Sequence, residues 1–218
     1  MFLFIGQIID FILKIDEHLL DLVNQYGNQV YVILFVIIFA ETGLVVTPFL
    51  PGDSLFFAAG ALAAASKLDI RILIVLFLIA AILGNITNYA IGRYIGPRIF
   101  QIKSRWIKIE YLERTKAFYD KYGVTAVVLS RFVPIFRSFV PFVAGIGQMP
   151  WGTYVFYTIL SGVLWVIPIT LLGYLFGDLP IIKHNFSLAI LGVIGISLLP
   201  VVVQAAINFF KKSQNKAL

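Results

Sequence analysis

Three apolar runs, 72–91, 153–176 and 186–210, are each long enough to cross the hydrocarbon core of a bilayer as a helix, a crossing that takes about 20 residues. In water, that much apolar helix would have to be wrapped in protein, and the rest of the 218-residue chain is too short to do it. Composition agrees. Hydrophobic residues make up 60% of the chain and charged ones 13%, where a soluble domain carries about a quarter. Backbone crossing a membrane must satisfy its own hydrogen bonds, so runs of this length read as helices. The expected fold class is an all-α integral membrane protein forming a single membrane domain.

Charge placement orients it. Arg98, Lys103, Arg105, Lys108, Arg114, Lys116 and Lys121 crowd the segment 97–121, and Lys211, Lys212 and Lys216 lie in the tail. Residues 1–28 are net acidic, with Asp10, Asp16, Glu17 and Asp21 against Lys14. The positive-inside rule puts the central loop and the C-terminus in the cytoplasm. The basic loop reads as a solvated face near anionic lipid, and no nucleic-acid partner is expected. No Lys or Arg precedes the apolar start and no small-residue cleavage site follows, so the first segment is expected to stay on the mature protein.

Between the long runs the pattern is broken. Residues 8–23 place Ile8, Ile12, Ile15, Leu19 and Leu22 at helical spacing and predict an amphipathic interfacial helix within 1–28. The apolar arms 30–40 and 54–66 are too short to span and flank a break at Pro48, Pro51 and Gly52. A second pair of short arms, 124–129 and 143–147, flanks Pro134, Pro141 and Gly145. Each set of breakers predicts a re-entrant hairpin, tolerated at membrane depth only where it is buried in protein or lines a wet cavity.

The two halves repeat. Tyr26-Gly27 stands fifteen residues before Glu41, and Tyr122-Gly123 fifteen before Arg137. Gly92 and Gly96 end one long run as Gly173 and Gly177 end another. The boundaries expected are 29–96 for the first repeat, 97–121 for the basic loop, 122–178 for the second repeat and 179–218 for a final span and tail. With the central loop inside, the first hairpin opens outward and the second inward. The plan is an inverted repeat with about three full spans, and such repeats bind their cargo near the midplane.

Four ionisable residues fall in the hairpins: Glu41, Asp53, Arg131 and Arg137. Each costs about 2.5–3.5 kcal/mol at a helix centre in the bilayer, so they must pair, line water or meet a ligand. Two acids in one hairpin and two bases in the other fit hairpins whose tips meet. Arg suits a phosphate as well as it suits a carboxylate, and the acids are candidates to carry a proton. Asn85 and Asn88, one turn apart, form a secondary polar site whose simpler role is interhelical hydrogen bonding. Trp106, Trp151 and Trp165 read as interface anchors or packing.

Enzyme chemistry has little to stand on. The sequence has no Gly-x-Ser-x-Gly, His-Glu-x-x-His, Walker or dinucleotide motif. With no Cys and only two His, neither disulfides, thiol catalysis nor metal ligation is expected, and no cofactor.

Phe39-Ala40-Glu41-Thr42-Gly43, Phe49-Leu50-Pro51-Gly52-Asp53-Ser54-Leu55, Gly92-Arg93, Arg131-Phe132-Val133-Pro134-x-x-Arg137 and Ala144-Gly145 together resemble the DedA family of bacterial inner-membrane proteins, within the wider VTT-domain (SNARE-associated) superfamily. The resemblance runs from about Ile15 to the last span. It implies a multi-pass protein of the bacterial cytoplasmic membrane that supports envelope lipid homeostasis. It further implies translocation of undecaprenyl phosphate or a phospholipid, with dependence on the proton motive force. The family's functional acids fall on Glu41 and Asp53, and its arginines on Arg131 and Arg137. Many relatives carry Asp where this chain has Asn85, which bears on coupling. The function expected is a flippase for a phosphate-bearing lipid. Its alternatives are a proton-coupled small-ion transporter or antiporter, and a non-transporting membrane scaffold.

Overall fold

The computed structural model describes residues 15–44, 52–65, 67–99, 123–132, 134–177 and 179, with isolated positions 192 and 195. Every element among them is helical. In chain order these are α1 (Ile15–Tyr26), a 3-10 turn (Gly27–Gln29), α2 (Val30–Gly43), α3 (Gly52–Ala64) and α4 (Ile70–Ile99). After the basic loop come a 3-10 turn (Gly123–Thr125), α5 (Ala126–Leu129), a 3-10 turn (Ser130–Phe132), α6 (Pro134–Ile146) and α7 (Trp151–Phe176).

Among the described residues, three stretches are long and apolar enough to cross a membrane: His18–Gly43, Ile70–Ile95 and Trp151–Phe176. Two coincide with expected spans. The first does not, because the sequence reading separated an interfacial helix from a short arm at Gly27. A 3-10 turn there carries helical hydrogen bonding from α1 into α2, and the joined run reaches spanning length. It is not one straight rod. Gly27 sits in the left-handed region at φ +52°, where a side chain is disfavoured and a helix axis changes direction. The expected span 186–210 apart from positions 192 and 195, residues 100–121 of the basic loop and residues 8–14 lie outside the described residues, as do Pro48 and Pro51, and residues 97–99, expected in the loop, belong to α4.

The second hairpin is also corrected. Pro141 and Gly145 do not break the chain, since both lie inside α6. Pro134 opens that helix, the position where a missing N–H costs least. Pro141, about two turns further on, only withholds a hydrogen bond from the Arg137 carbonyl four residues back. The inner arm is therefore one helix of 13 residues that begins at Pro134.

Gly123 matches Gly27. Its φ is +57°, it too follows a Tyr, and it too opens a 3-10 turn leading into a helix. The correspondence extends to packing. A Cβ on Gly92 of α4 would fall on the Phe142 carbonyl of α6, and one on Gly173 of α7 on the Phe57 carbonyl of α3. A Cβ on Gly145 would meet Tyr89 and Arg93, and one on Gly60 would meet Thr170 and Tyr174. A single register shift relates α3 to α6 in all of these contacts, and another relates α4 to α7. The inner arm of each half thus packs on the long helix of the other, with backbones brought close by glycine.

Two cores result. Leu19, Leu34, Ile38, Phe56, Leu73 and Phe77 anchor the first, and Tyr89, Val127, Val140, Ala144 and Tyr154 the second. Outward, α4 presents Ile72, Val75, Ile79 and Leu83, all exposed. A continuous apolar stripe of that kind is a liability in water and ordinary against lipid.

Candidate functional site

Glu41, Asp53, Arg131 and Arg137 all sit at helix ends beside the hairpin breaks, and this is what lets residues far apart in sequence converge. Glu41 lies two residues before the end of α2 and Asp53 in the first turn of α3. Arg137 lies in the first turn of α6, and Arg131 in the 3-10 turn before it.

Arg137 bridges the two acids. Its Nη2 donates to Glu41 Oε1 at 2.5 Å and its Nη1 to Asp53 Oδ1 at 2.8 Å. Glu41 is 4% exposed, Asp53 14% and Arg137 13%, so the triad is largely withdrawn from solvent. Such pairs hold only when further hydrogen bonds satisfy the remaining atoms. Here they do. The Gly52 backbone amide bonds the Glu41 carboxylate. The indole of Trp165 donates its Nε1–H to Asp53 Oδ1 at 2.9 Å. Gly52 has a second role, since a Cβ there would overlap the Glu41 carboxylate. Its small size seats an acid from α2 against the N-terminus of α3, where the helix dipole favours negative charge.

Arg131 is different. It is 5% exposed, and its Nε donates to Ser161 Oγ at 3.2 Å. Among the described residues no carboxylate lies within ion-pair distance of it, and its buried Nη2 has no hydrogen-bond partner. Ser161 Oγ in turn donates to the Thr158 carbonyl at 2.9 Å. Formally, the triad carries one net negative charge and Arg131 one positive charge.

The secondary polar pair stands beside this cluster. Asn88 donates through Nδ2 to the Ser138 carbonyl at 2.9 Å and the Thr42 carbonyl at 3.4 Å. Those are the residues that follow Arg137 and Glu41, so Asn88 braces both hairpins from α4. The Asn85 carbonyl accepts a hydrogen bond from the Tyr154 hydroxyl at 2.9 Å. Both side-chain oxygens, Asn85 Oδ1 and Asn88 Oδ1, are buried without a partner. Arg93 bonds the Tyr89 hydroxyl at 2.7 Å and the Met149 carbonyl at 3.0 Å, fastening α4 to the turn between α6 and α7.

The third wall of the site, α7, was not anticipated. Ser161 and Trp165 reach Arg131 and Asp53 from one helical face, with Ser161 braced on the Thr158 carbonyl a turn back. Their spacing of three and four residues is the signal that was available, set in an otherwise apolar span.

Comparison with known proteins places this geometry. The VTT domain matches residues 50–175. Protein DedA of Escherichia coli (strain K12) is 50% identical over 200 residues, 90% of this chain and 91% of that one. The chain belongs to the DedA family. A further DedA-family relative, Inner membrane protein YqjA of Escherichia coli (strain K12), is 35% identical over 155 residues, 71% of this chain and 70% of that one. An uncharacterized membrane protein of Mycobacterium tuberculosis (strain H37Rv) is 42% identical over 184 residues, 83% of this chain and 81% of that one. The last two are named as membrane proteins, and none of the three is named as an enzyme. No solved structure matches.

Proposed function

We propose that this DedA-family protein carries a phosphate-bearing lipid across the bilayer, with Arg131 receiving the phosphate. The observation that carries the reading is the buried Arg131 guanidinium, which has an unpartnered Nη2 and, among the described residues, no carboxylate within ion-pair distance. A buried cation in that condition is costly, and a phosphate oxygen is its natural acceptor. Arg137 follows. It is held by Glu41 and Asp53 in the empty site, and an incoming phosphate competes for the same fork of donors.

Charge balance argues for a proton. The four side chains sum to zero, and a phosphomonoester adds up to about two negative charges. An excess of that size is expensive within a membrane. A proton taken up by Glu41 or Asp53 offsets part of it, which couples phosphate movement to a proton gradient. The retained Glu41 and Asp53 support coupling, and the neutral Asn85 leaves these two acids as its carriers. Undecaprenyl phosphate is the first cargo to test and a phospholipid the second, in the bacterial inner membrane.

The test uses purified protein in liposomes with labelled undecaprenyl phosphate and labelled phospholipid in parallel, with and without an imposed pH gradient. Faster flipping than in protein-free vesicles is expected, enhanced by the gradient and abolished in Arg131→Ala. No acceleration of either lipid by folded protein would overturn the proposal. It would leave small-ion transport or a static role for the four charges.

A further inference from the structure

We infer that Trp165 is a positioning residue of the site, holding the Asp53 carboxylate in place when Arg137 turns to the phosphate. The inference rests on the phosphate-lipid reading above. Asp53 Oδ1 accepts from two donors of different kinds, Arg137 Nη1 at 2.8 Å and Trp165 Nε1 at 2.9 Å. The first sits on α6, on the same fork that also bonds Glu41. The second sits on α7, which packs along α3 through Gly60 and Gly173. Asp53 and Trp165 therefore belong to one tightly packed helix pair, and Arg137 belongs to the other.

The two donors also differ chemically. Arg137 brings charge and matches phosphate geometry as well as carboxylate geometry. An indole N–H is a donor only and carries no charge, and this one is fixed to a ring packed against the first core. A phosphate can draw Arg137 away, while nothing in its chemistry draws the indole off Asp53. A carboxylate that keeps an N–H donor loses less when its cation leaves. Trp165 thereby lowers the cost of opening the ion triad and so strengthens phosphate binding without touching the phosphate.

The test is a double-mutant cycle read by binding. Dodecyl phosphate and, separately, inorganic phosphate are titrated onto full-length protein in micelles of an uncharged detergent, for the parent, Trp165→Phe, Asp53→Asn and the double variant. The expected result is severalfold weaker dodecyl phosphate binding in Trp165→Phe, because the hydrogen bond is present in both states and only its gain in strength once Arg137 leaves enters the dissociation constant. The same change in the Asp53→Asn background, where the amide oxygen can still accept from the indole but no charge is uncovered when Arg137 leaves, should have a much smaller effect. A packing role predicts a lower melting temperature with the dissociation constant unchanged, or equal losses in both backgrounds, and either overturns the inference. A second arm leaves Trp165 in place. With Trp106 and Trp151 replaced by Phe, dodecyl phosphate should shift the Trp165 emission, and Asp53→Asn should remove the shift. An emission indifferent to both also overturns it. Tight binding by the parent with no response at Trp165 removes only the role of Trp165. Absence of dodecyl phosphate binding to the parent removes the phosphate-lipid reading itself and this inference with it. Equal binding of inorganic phosphate identifies the headgroup alone as the ligand.

Discussion

Removing Arg137 strands two carboxylates, whereas removing Arg131 strands none. Glu41 and Asp53 both depend on the Arg137 guanidinium, and breaking a buried pair from one side costs about 3–5 kcal/mol. Arg137→Ala is therefore expected to melt well below the parent in detergent. Arg131→Ala loses one hydrogen bond to Ser161 and is relieved of a buried cation, so its stability should stay within about 1 kcal/mol of the parent. Thermal unfolding of the two variants checks this, and equal losses would mean that Arg131 is a structural tie. Gly52→Ala is a sharper probe of the acid seat. Its Cβ would overlap the Glu41 carboxylate, so a loss of about 1–3 kcal/mol is expected by the same measurement. The identities of these residues were legible in the sequence, because charge inside an apolar run is conspicuous. The asymmetry between the arginines was not, since it depends on distances that no spacing encodes.

At the scale of elements, the long helix α7 could be read almost to the residue, because an uninterrupted apolar run has few alternatives, while α4 starts near its expected place but runs on to Ile99, past the expected end at 91. The hairpins were read less well. Proline and glycine mark interruptions in a pattern, yet Pro141 and Gly145 are accommodated inside α6, where one withholds a single hydrogen bond and the other admits a neighbouring backbone. Sequence cannot distinguish a glycine that turns a chain from one that lets a helix approach. The packing makes a paired prediction. Gly92→Ala and Gly173→Ala each put a methyl onto a backbone carbonyl of the opposite half, so both should lower the melting temperature by similar amounts, the equivalent of about 1–3 kcal/mol. Gly152→Ala, with open space around it, should leave stability unchanged or slightly raised. Unequal effects at Gly92 and Gly173 would argue against equivalent crossings.

For the molecule as a whole, the repeat and its opposed hairpins make a claim about sidedness. The chain has no Cys, so a single introduced one reports without background. A Cys at Lys67 should react with an impermeant maleimide from outside the cell, and one at Gln148 only after the inner face is opened. The reverse pattern would invert the topology, and labelling of both from one face would end the inverted-repeat reading. Such opposition is what the charge distribution predicts. The exchange of arms between halves was not, because it appears only in which helix each glycine meets.

That exchange imposes an order on biogenesis. The arm bearing Asp53 is synthesised long before α7, the helix it packs on, and both acids precede the arginine that pairs with them. A ribosome therefore delivers the first half into the membrane with its carboxylates uncompensated and its closest contact surface empty. Neither half can finish folding as it emerges. Both cores close only when the second half arrives, because the first takes Val166 from α7 and the second takes Tyr89 from α4.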